Sequence, residues 1–496
     1  MSISAHRENG ATKGQRGQGS GVERGITKRG VTVENGALGK LKSLLVGWSS
    51  LLSQTRLGES ASASATMPGR SEFQRDFDRI IFSSAFRRLQ DKTQVFPLAE
   101  SDYVRTRLTH SLEASSVGRS LGSLVGAQLV DRYKDLHDLG IGPADVGAIV
   151  AAACLAHDIG NPPFGHSGED AIRLFFANHE RGQEMLAPLT REERADFLQF
   201  EGNAQGFRVL TRLQSPDNEG GLQLTCATLG AFTKYPRAAH HETLPKLISM
   251  RKHGYSMAEA AYFETVAAAV GLRRRVNGAF FRHPLAFLVE AADDICYHVV
   301  DVEDAYRLGI LRYSDVKDVL ADIIGGEDRL TARLARMTDD KARIAYLRAR
   351  AINTLVEQAA QRFLEVERHL RAGEMDEPLL ASVPAAAGLA HLRQLGETHV
   401  YMAPPVVEIE VAGFEVLAGL LAIFGQAIEA HARGRLDPKE RMRLKLIPAQ
   451  FLPLDGAPPL APYERLLRLT DFVSGMTDSY AVSLYKKVTG ISLRGG

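Results

Sequence analysis

His157 and Asp158 stand side by side at the end of a small, uncharged apolar run over residues 147–156. An imidazole and a carboxylate against an apolar wall are costly to bury unless something pairs them, and one divalent cation pairs both. Gly160, Pro162, Pro163 and Gly165 follow, a composition that breaks a helix and forces a tight loop. That loop is expected to bring His166 back towards His157. Glu169 lies three residues beyond His166, so a helix restarting there points both side chains the same way. Most isolated His-Asp pairs are surface coincidence or a hydrogen-bonded structural histidine, so the rest of the chain has to decide.

A second constellation occupies residues 285–306. Asp293, Tyr297 and Asp301 are spaced i, i+4, i+8, which sets carboxylate, aromatic ring and carboxylate along one helix face. Capping or ion-pair duty for Asp293 and Asp294 explains them poorly among Phe287, Leu288, Val289, Val299, Val300 and Val302. Further upstream, Arg107 and His110 are three apart and share a face if their segment is helical. A guanidinium beside a metal-binding histidine suits a phosphate-bearing substrate, because it meets phosphate oxygens through two parallel hydrogen bonds. Asn203 and Gln205 sit in a glycine-containing turn and could hydrogen-bond a base or sugar. Lys234, Lys252 and Tyr255 are candidate phosphate contacts, with solvated surface lysine as the plainer account of the first two.

These residues need a scaffold. At 496 residues and 54.2 kDa the chain is long enough for more than one core-bearing unit. With 60 Lys and Arg against 59 Asp and Glu there is no global basic field for nucleic acid. Cys154, Cys226 and Cys296 are too few and too scattered for a disulfide framework or cysteine-rich zinc site, and read as small buried residues. No uncharged stretch reaches membrane-span length and the start lacks a secretory apolar core, so a reduced, cytoplasmic protein without integral membrane association is expected.

The patterning is helical throughout. Residues 1–70 are expected to be a disordered basic extension with a short amphipathic helix around 38–52, marked by Leu38, Leu41, Leu44, Leu45, Trp48, Leu51 and Leu52. That helix either packs on the body or anchors to a membrane surface or partner. Residues 71–310 form the core, opening with an amphipathic helix from Phe73 to Leu89 that carries Arg75, Arg79, Arg87 and Arg88. Residues 115–176 read as helix, 178–194 as an exposed loop, and 222–232 as an apolar helix. Residues 311–496 are a further helical region, with 417–428 apolar enough for a core or subunit contact. The expected fold class is all-α.

The ordered set of motifs resembles a known family. Arg107 to His110, His157 to Glu169, the 200–207 turn, Glu290 to Tyr297 and the C-terminal stretch from Asp471 to Asp478 are similar to the HD-domain deoxynucleoside triphosphate triphosphohydrolases, the bacterial dGTPase family. The match spans about residues 71–490 and leaves the first seventy unexplained. The resemblance implies an HD-domain helical core with additional C-terminal helices that complete the pocket and make oligomer contacts, a hexamer among the expected assemblies. It implies His110, His157, Asp158 and Asp293 as metal ligands, His166 near the scissile phosphate, and Glu169 as its supporting carboxylate. Arg107 matches an α-phosphate contact, Tyr297 and Asp301 the sugar platform and the reader of the 3′-hydroxyl, and Gln94 a second sugar contact. Asn203, Lys234 and Tyr235 match substrate-pocket positions. None of the four ligands nor the His-Glu pair departs from the pattern.

The residue chemistry agrees. Two imidazoles and two carboxylates leave open positions on Mn²⁺ or Mg²⁺, with Fe²⁺ and Zn²⁺ also compatible. Such an ion activates water and neutralises phosphate charge. The family resemblance then implies hydrolysis of dGTP or another dNTP to deoxynucleoside and tripolyphosphate. A regulatory nucleotide or single-stranded DNA is a further expected partner. Three other readings make different predictions. An HD enzyme acting on a monophosphate, cyclic nucleotide or alarmone would release other products. A nucleic-acid-binding regulator would bind DNA with steep salt dependence even without Asp293. A membrane-associated protein would float with liposomes through its Trp48 helix.

Overall fold

Helices carry the apolar patterning wherever the backbone is described, with only isolated bridges such as Thr93 to Thr106 between extended residues. The computed structural model describes residues 45–59, 69–95, 104–244, 246–325, 327–453 and 459–491. Most of the expected basic extension, and residues 38–44 of its amphipathic helix, lie outside the described residues.

The first long helix, α1 (Glu72–Ile81), starts at a capping box in which Ser71 and Gln74 satisfy each other's backbone N–H groups. Next come α2 (Arg107–Arg132) and α3 (Pro143–Ala156), which pack along their lengths. Their close approach depends on small residues: a Cβ on Gly122 would lie 2.8 Å from the Cα of Gly147. Pro143 opens α3 at a position where its missing N–H costs nothing. From Ile149 to Ala156 every α3 residue is buried, as the uncharged run requires. Helix α4 (Gly165–Asn178) restarts after the Gly/Pro loop, and α5 (Ala286–Arg307) packs against both α2 and α3. Behind α5 runs α6 (Asp340–Ala372), the long polar-faced helix, against which α2 also packs.

The chain builds two apolar clusters. One gathers α1, α2, α3, α5 and α6. The other is formed by α4 with α7 (Pro404–Ala432), α8 (Pro462–Ser474) and α9 (Asp478–Thr489), and is filled by Phe175, Phe176, Leu420, Phe424 and Phe472. The 417–428 stretch is therefore core: Leu417, Leu420, Leu421 and Phe424 have no exposed surface. Cys154, Cys226 and Cys296 are free and buried, as expected of small apolar residues.

Three segments differ from the sequence expectation. Residues 178–194 are not a loop, because Glu180–Leu186 and Arg191–Leu198 are helices capped by His179 and Thr190. Their apolar residues are diluted by charge, but Met185, Leu186 and Phe197 enter the second cluster. The 222–232 helix is only Cys226–Phe232. The residues before it leave the helical path: Gln223 has a left-handed φ of 50°, and Leu224 and Thr225 pair with residues 55–57, Leu57 donating to the Leu224 carbonyl and Cys226 to that of Thr55. The body also begins earlier than Ser71, since the described residues from Val46 onward form one compact unit. Trp48 is 1% exposed and donates from Nε1 to Glu367 at 2.6 Å, so the indole belongs to the core rather than to a membrane or partner surface. Nearby, the buried Arg56 guanidinium pairs with Glu72 at 2.6 Å and Asp76 at 2.7 Å. No described helix is long and apolar enough to cross a membrane.

Candidate metal centre and pocket

Three helices converge where the first constellation of residues meets the second. His110 sits in the first turn of α2, His157 caps the C-terminus of α3, and Asp293 lies in the middle of α5. Asp293 Oδ1 is 3.1 Å from His110 Nε2 and 3.4 Å from His157 Nε2. Among the described residues these three are the one group whose donor atoms all lie within 4.8 Å of each other. Donors around one ion at about 2.1 Å are themselves about 3.0–3.4 Å apart, so the spacing fits a shared cation. His157 is held in the right tautomer: Nδ1 is 2.6 Å from the Cys154 carbonyl and donates to it, which leaves Nε2 free to face Asp293.

Asp158 stands at the edge of this trio. Its Oδ2 is 3.5 Å from His157 Nε2, but it accepts from Arg107 Nη1 at 2.6 Å, while Oδ1 accepts from Asn161 Nδ2 at 2.5 Å. Burial would raise the Asp158 pKa, yet Arg107 and His157 outweigh it and hold the group at about 2. Burial would likewise lower His157, and Asp158 with Asp293 instead raises it to about 9. A field this negative, on buried side chains, favours a bound cation.

His166 and Glu169 share the first turn of α4, as their spacing predicts. His166 Nδ1 lies 2.9 Å from Glu169 Oε2, and the imidazole is largely exposed to the cavity. Glu169 is 2% exposed and accepts the Gly202 N–H at 2.6 Å. Despite burial, the bond to His166 and the nearby Lys252 hold its pKa at about 2. The imidazole is thereby oriented by a fixed carboxylate, with Nε2 free.

A cavity of about 590 Å³ opens from the trio, within the usual size of small-molecule sites. Of the sequence candidates, Gln94, Arg107, Asn203, Lys234, Tyr235 and Tyr297 line it together with His157, Asp158, His166 and Asp293. Gln94 Oε1 and Arg107 Nε are buried there without a hydrogen-bond partner. The Lys234 ammonium is 3.2 Å from Glu290, and Asn203 donates to Glu201. The Tyr297 ring stacks on Tyr401, with centroids 5.6 Å apart at 20°.

Asp301 departs from expectation. It is 4% exposed, off the cavity wall, and accepts from the Tyr401 hydroxyl at 3.1 Å. Its i+8 spacing puts it on the correct face of α5, one turn too deep, and Tyr401 covers it. Gln205 and Tyr255 also turn away: Gln205 donates to Asp471, and Tyr255 stacks on Phe263 at 4.4 Å. Lys252 does reach the wall, 3.1 Å from Glu201.

Sequence reasoning missed Asn161, Asp294, His298, Arg393, Glu397 and Tyr401 on the same wall. Asn161 lay inside the first motif and Asp294 beside a named ligand, so both were within reach. Arg393 and Glu397 are spaced for one helix face, but nothing local marks them as facing a pocket whose Asp293 lies 100 or more residues earlier in sequence.

Comparison with known proteins agrees with this geometry. Residues 107–202 match the HD domain family model, a span that includes His110, His157, Asp158, His166 and Glu169. A deoxyguanosinetriphosphate triphosphohydrolase-like protein from Synechocystis sp. is 45% identical over 459 residues, covering 90% of this chain and 100% of the relative. One of the same description from Pseudomonas aeruginosa is 40% identical over 451 residues, covering 90% and 99%. The deoxyguanosinetriphosphate triphosphohydrolase of Salmonella paratyphi A is 34% identical over 493 residues, covering 84% and 94%.

Proposed function

Since the chain belongs to the deoxyguanosinetriphosphate triphosphohydrolase family of HD-domain enzymes, we propose that it hydrolyses dGTP or another dNTP to a deoxynucleoside and tripolyphosphate. The observation that carries this reading is the meeting of His110, His157 and Asp293 at the floor of a cavity that also holds His166 with Glu169.

A divalent ion held by His110, His157, Asp158 and Asp293, Mn²⁺ or Mg²⁺ first among the candidates, would supply charge neutralisation at the α-phosphate and an acidified water. The chain's own residues do the rest. Arg107, fixed to Asp158 by one Nη, directs its unpartnered Nε at an α-phosphate oxygen. Lys234 and Lys252 add positive charge along the wall for the remaining phosphates. His166, with Nδ1 committed to Glu169, offers Nε2 as the acid–base group at the reacting phosphorus or the departing 5′-oxygen. The Tyr297–Tyr401 stack forms the sugar platform, Gln94 Oε1 accepts from a sugar hydroxyl, and Asp301 acts on that pocket through Tyr401. Asn203 and Tyr235 complete the substrate wall.

The test is product analysis with the four dNTPs over a panel of divalent metals. Tripolyphosphate with deoxynucleoside is expected, whereas pyrophosphate or orthophosphate would assign another HD reaction. The reading includes a cytoplasmic homo-oligomer, a hexamer among the candidates, with a second nucleotide or single-stranded DNA as regulator. A monomer mass by light scattering, with and without nucleotide, would contradict the assembly.

A further inference from the structure

The last motif of the sequence, from Asp471 to Asp478, contributes nothing to the wall of the metal cavity, yet it is the segment that ties the two sides of that cavity together. Asp478, the first residue of α9, is 1% exposed and uses both carboxylate oxygens. Oδ1 accepts the Phe164 N–H at 3.0 Å. Oδ2 accepts the Thr93 N–H at 2.9 Å and its hydroxyl at 2.5 Å. Thr93 precedes Gln94, and Phe164 lies two residues before His166. Thr93, Gln94, Phe164 and His166 line one cavity of about 200 Å³ that also takes in Arg107 and Tyr297.

We infer that Asp478 is a positioning residue that sets Gln94 against His166 by bridging the Thr93 and Phe164 backbones. The statement rests on the proposed roles of Gln94 and His166. Phe164 shows why such a bridge is needed. Its φ of 63° is left-handed, a conformation bulky side chains avoid, and it immediately precedes the first turn of α4, which carries His166 and Glu169. The ring is pinned from the other side by α7, where a Cβ on Gly413 would come within 2.8 Å of it. The carboxylate thus holds a backbone bend that the side chain at that position disfavours. Lys92 reinforces the link, donating to the carbonyls of Asn161 and Ser474 at 2.5 and 3.0 Å.

Asp478→Asn tests this in the full-length protein. An amide cannot accept from both sides, so it sets an N–H against either Thr93 or Phe164. Turnover number should fall about 10- to 100-fold, the size of effect an ångström of misplacement produces. Mn²⁺ affinity, read by electron paramagnetic resonance, should change less than about threefold, because His110, His157 and Asp293 sit on other elements. Amide exchange should rise in peptides covering 90–95 and 160–166 but not in α2. Thr93→Val removes only the hydroxyl bond and should give a smaller loss of turnover, with little further loss when combined with Asp478→Asn. It also serves if the Asn variant does not fold. Wild-type turnover and unchanged exchange in both variants would overturn the inference. Should the wild-type chain release no tripolyphosphate, the proposed activity fails, and the exchange pattern still decides the bridge.

Discussion

Nε2 of His110 lies 3.1 Å from Oδ1 of Asp293, across 183 residues of chain. His157 is the third donor that meets both, and Asp158 stands beside the trio. The contact makes a shared cation the economical account of three motifs at once.

His110→Ala and Asp293→Ala should each lose high-affinity Mn²⁺ binding and at least about 10³-fold in metal-dependent turnover while remaining folded. Metal titration by calorimetry and circular dichroism on the same samples check this. Tight metal binding in either variant would place the ion elsewhere.

Glu169→Gln separates acid–base chemistry from metal binding. The carboxylate orients His166 and accepts the Gly202 N–H, but touches none of the three convergent donors. Turnover should drop about 10²-fold with metal affinity retained. Parallel loss of both would show that Glu169 only holds the fold.

Arg208 joins the helix Gly202–Arg208 to α8 through a buried ion pair. Its guanidinium donates twice to Asp471 at 2.8 Å and once to Glu259 at 2.5 Å. Arg208→Met leaves the buried Asp471 carboxylate without a cation, and Glu259 with only Arg212 at 3.1 Å, and should cost about 3–5 kcal/mol in denaturant unfolding. A loss under 1 kcal/mol would mean that this ion pair contributes little to holding the helix Gly202–Arg208 against α8.

Lys92 gives a pH signature. Burial lowers its pKa from 10.5 to about 7, helped by the Arg88 and Arg107 guanidinium groups and only partly opposed by Asp478 and Asp158, while its hydrogen bonds go to backbone carbonyls. Between those values the unfolded chain binds the proton and the folded chain does not. Stability from this group therefore rises with pH from about 7 to 10.5, by at most about 1.4 kcal/mol per pH unit, and is flat below 7, where both states carry the proton. Chemical denaturation of wild type and Lys92→Met at pH 7 and pH 10 should show that slope in the wild type only.

The convergence of His110, His157 and Asp293 was legible because these residues stand out locally. Polar residues inside apolar helical runs, such as His157, Asp158 and Asp293, have few innocent explanations, and i, i+3 or i, i+4 spacing fixes their common face. Depth along a face is not legible: the same periodicity that names Asp301 cannot say that Tyr401, a hundred residues later, will cover it. Long helices were readable from their stripes, whereas Glu180–Leu186 and Arg191–Leu198 are short and charged, and become helices through caps and one shared cluster. Trp48 shows the remaining gap. An amphipathic turn has the same pattern whether its apolar side meets lipid or protein, and only Glu367, 319 residues away, decides for protein.

The most direct measurement is hydrolysis of dGTP with Mn²⁺ in ¹⁸O-labelled water, with both products analysed by mass spectrometry. Attack of water at the α-phosphorus puts the label in tripolyphosphate and leaves the deoxynucleoside unlabelled. Label in the deoxynucleoside, or its appearance in pyrophosphate or orthophosphate, would contradict the assignment of His110, His157, Asp158, Asp293 and His166 to the α-phosphate.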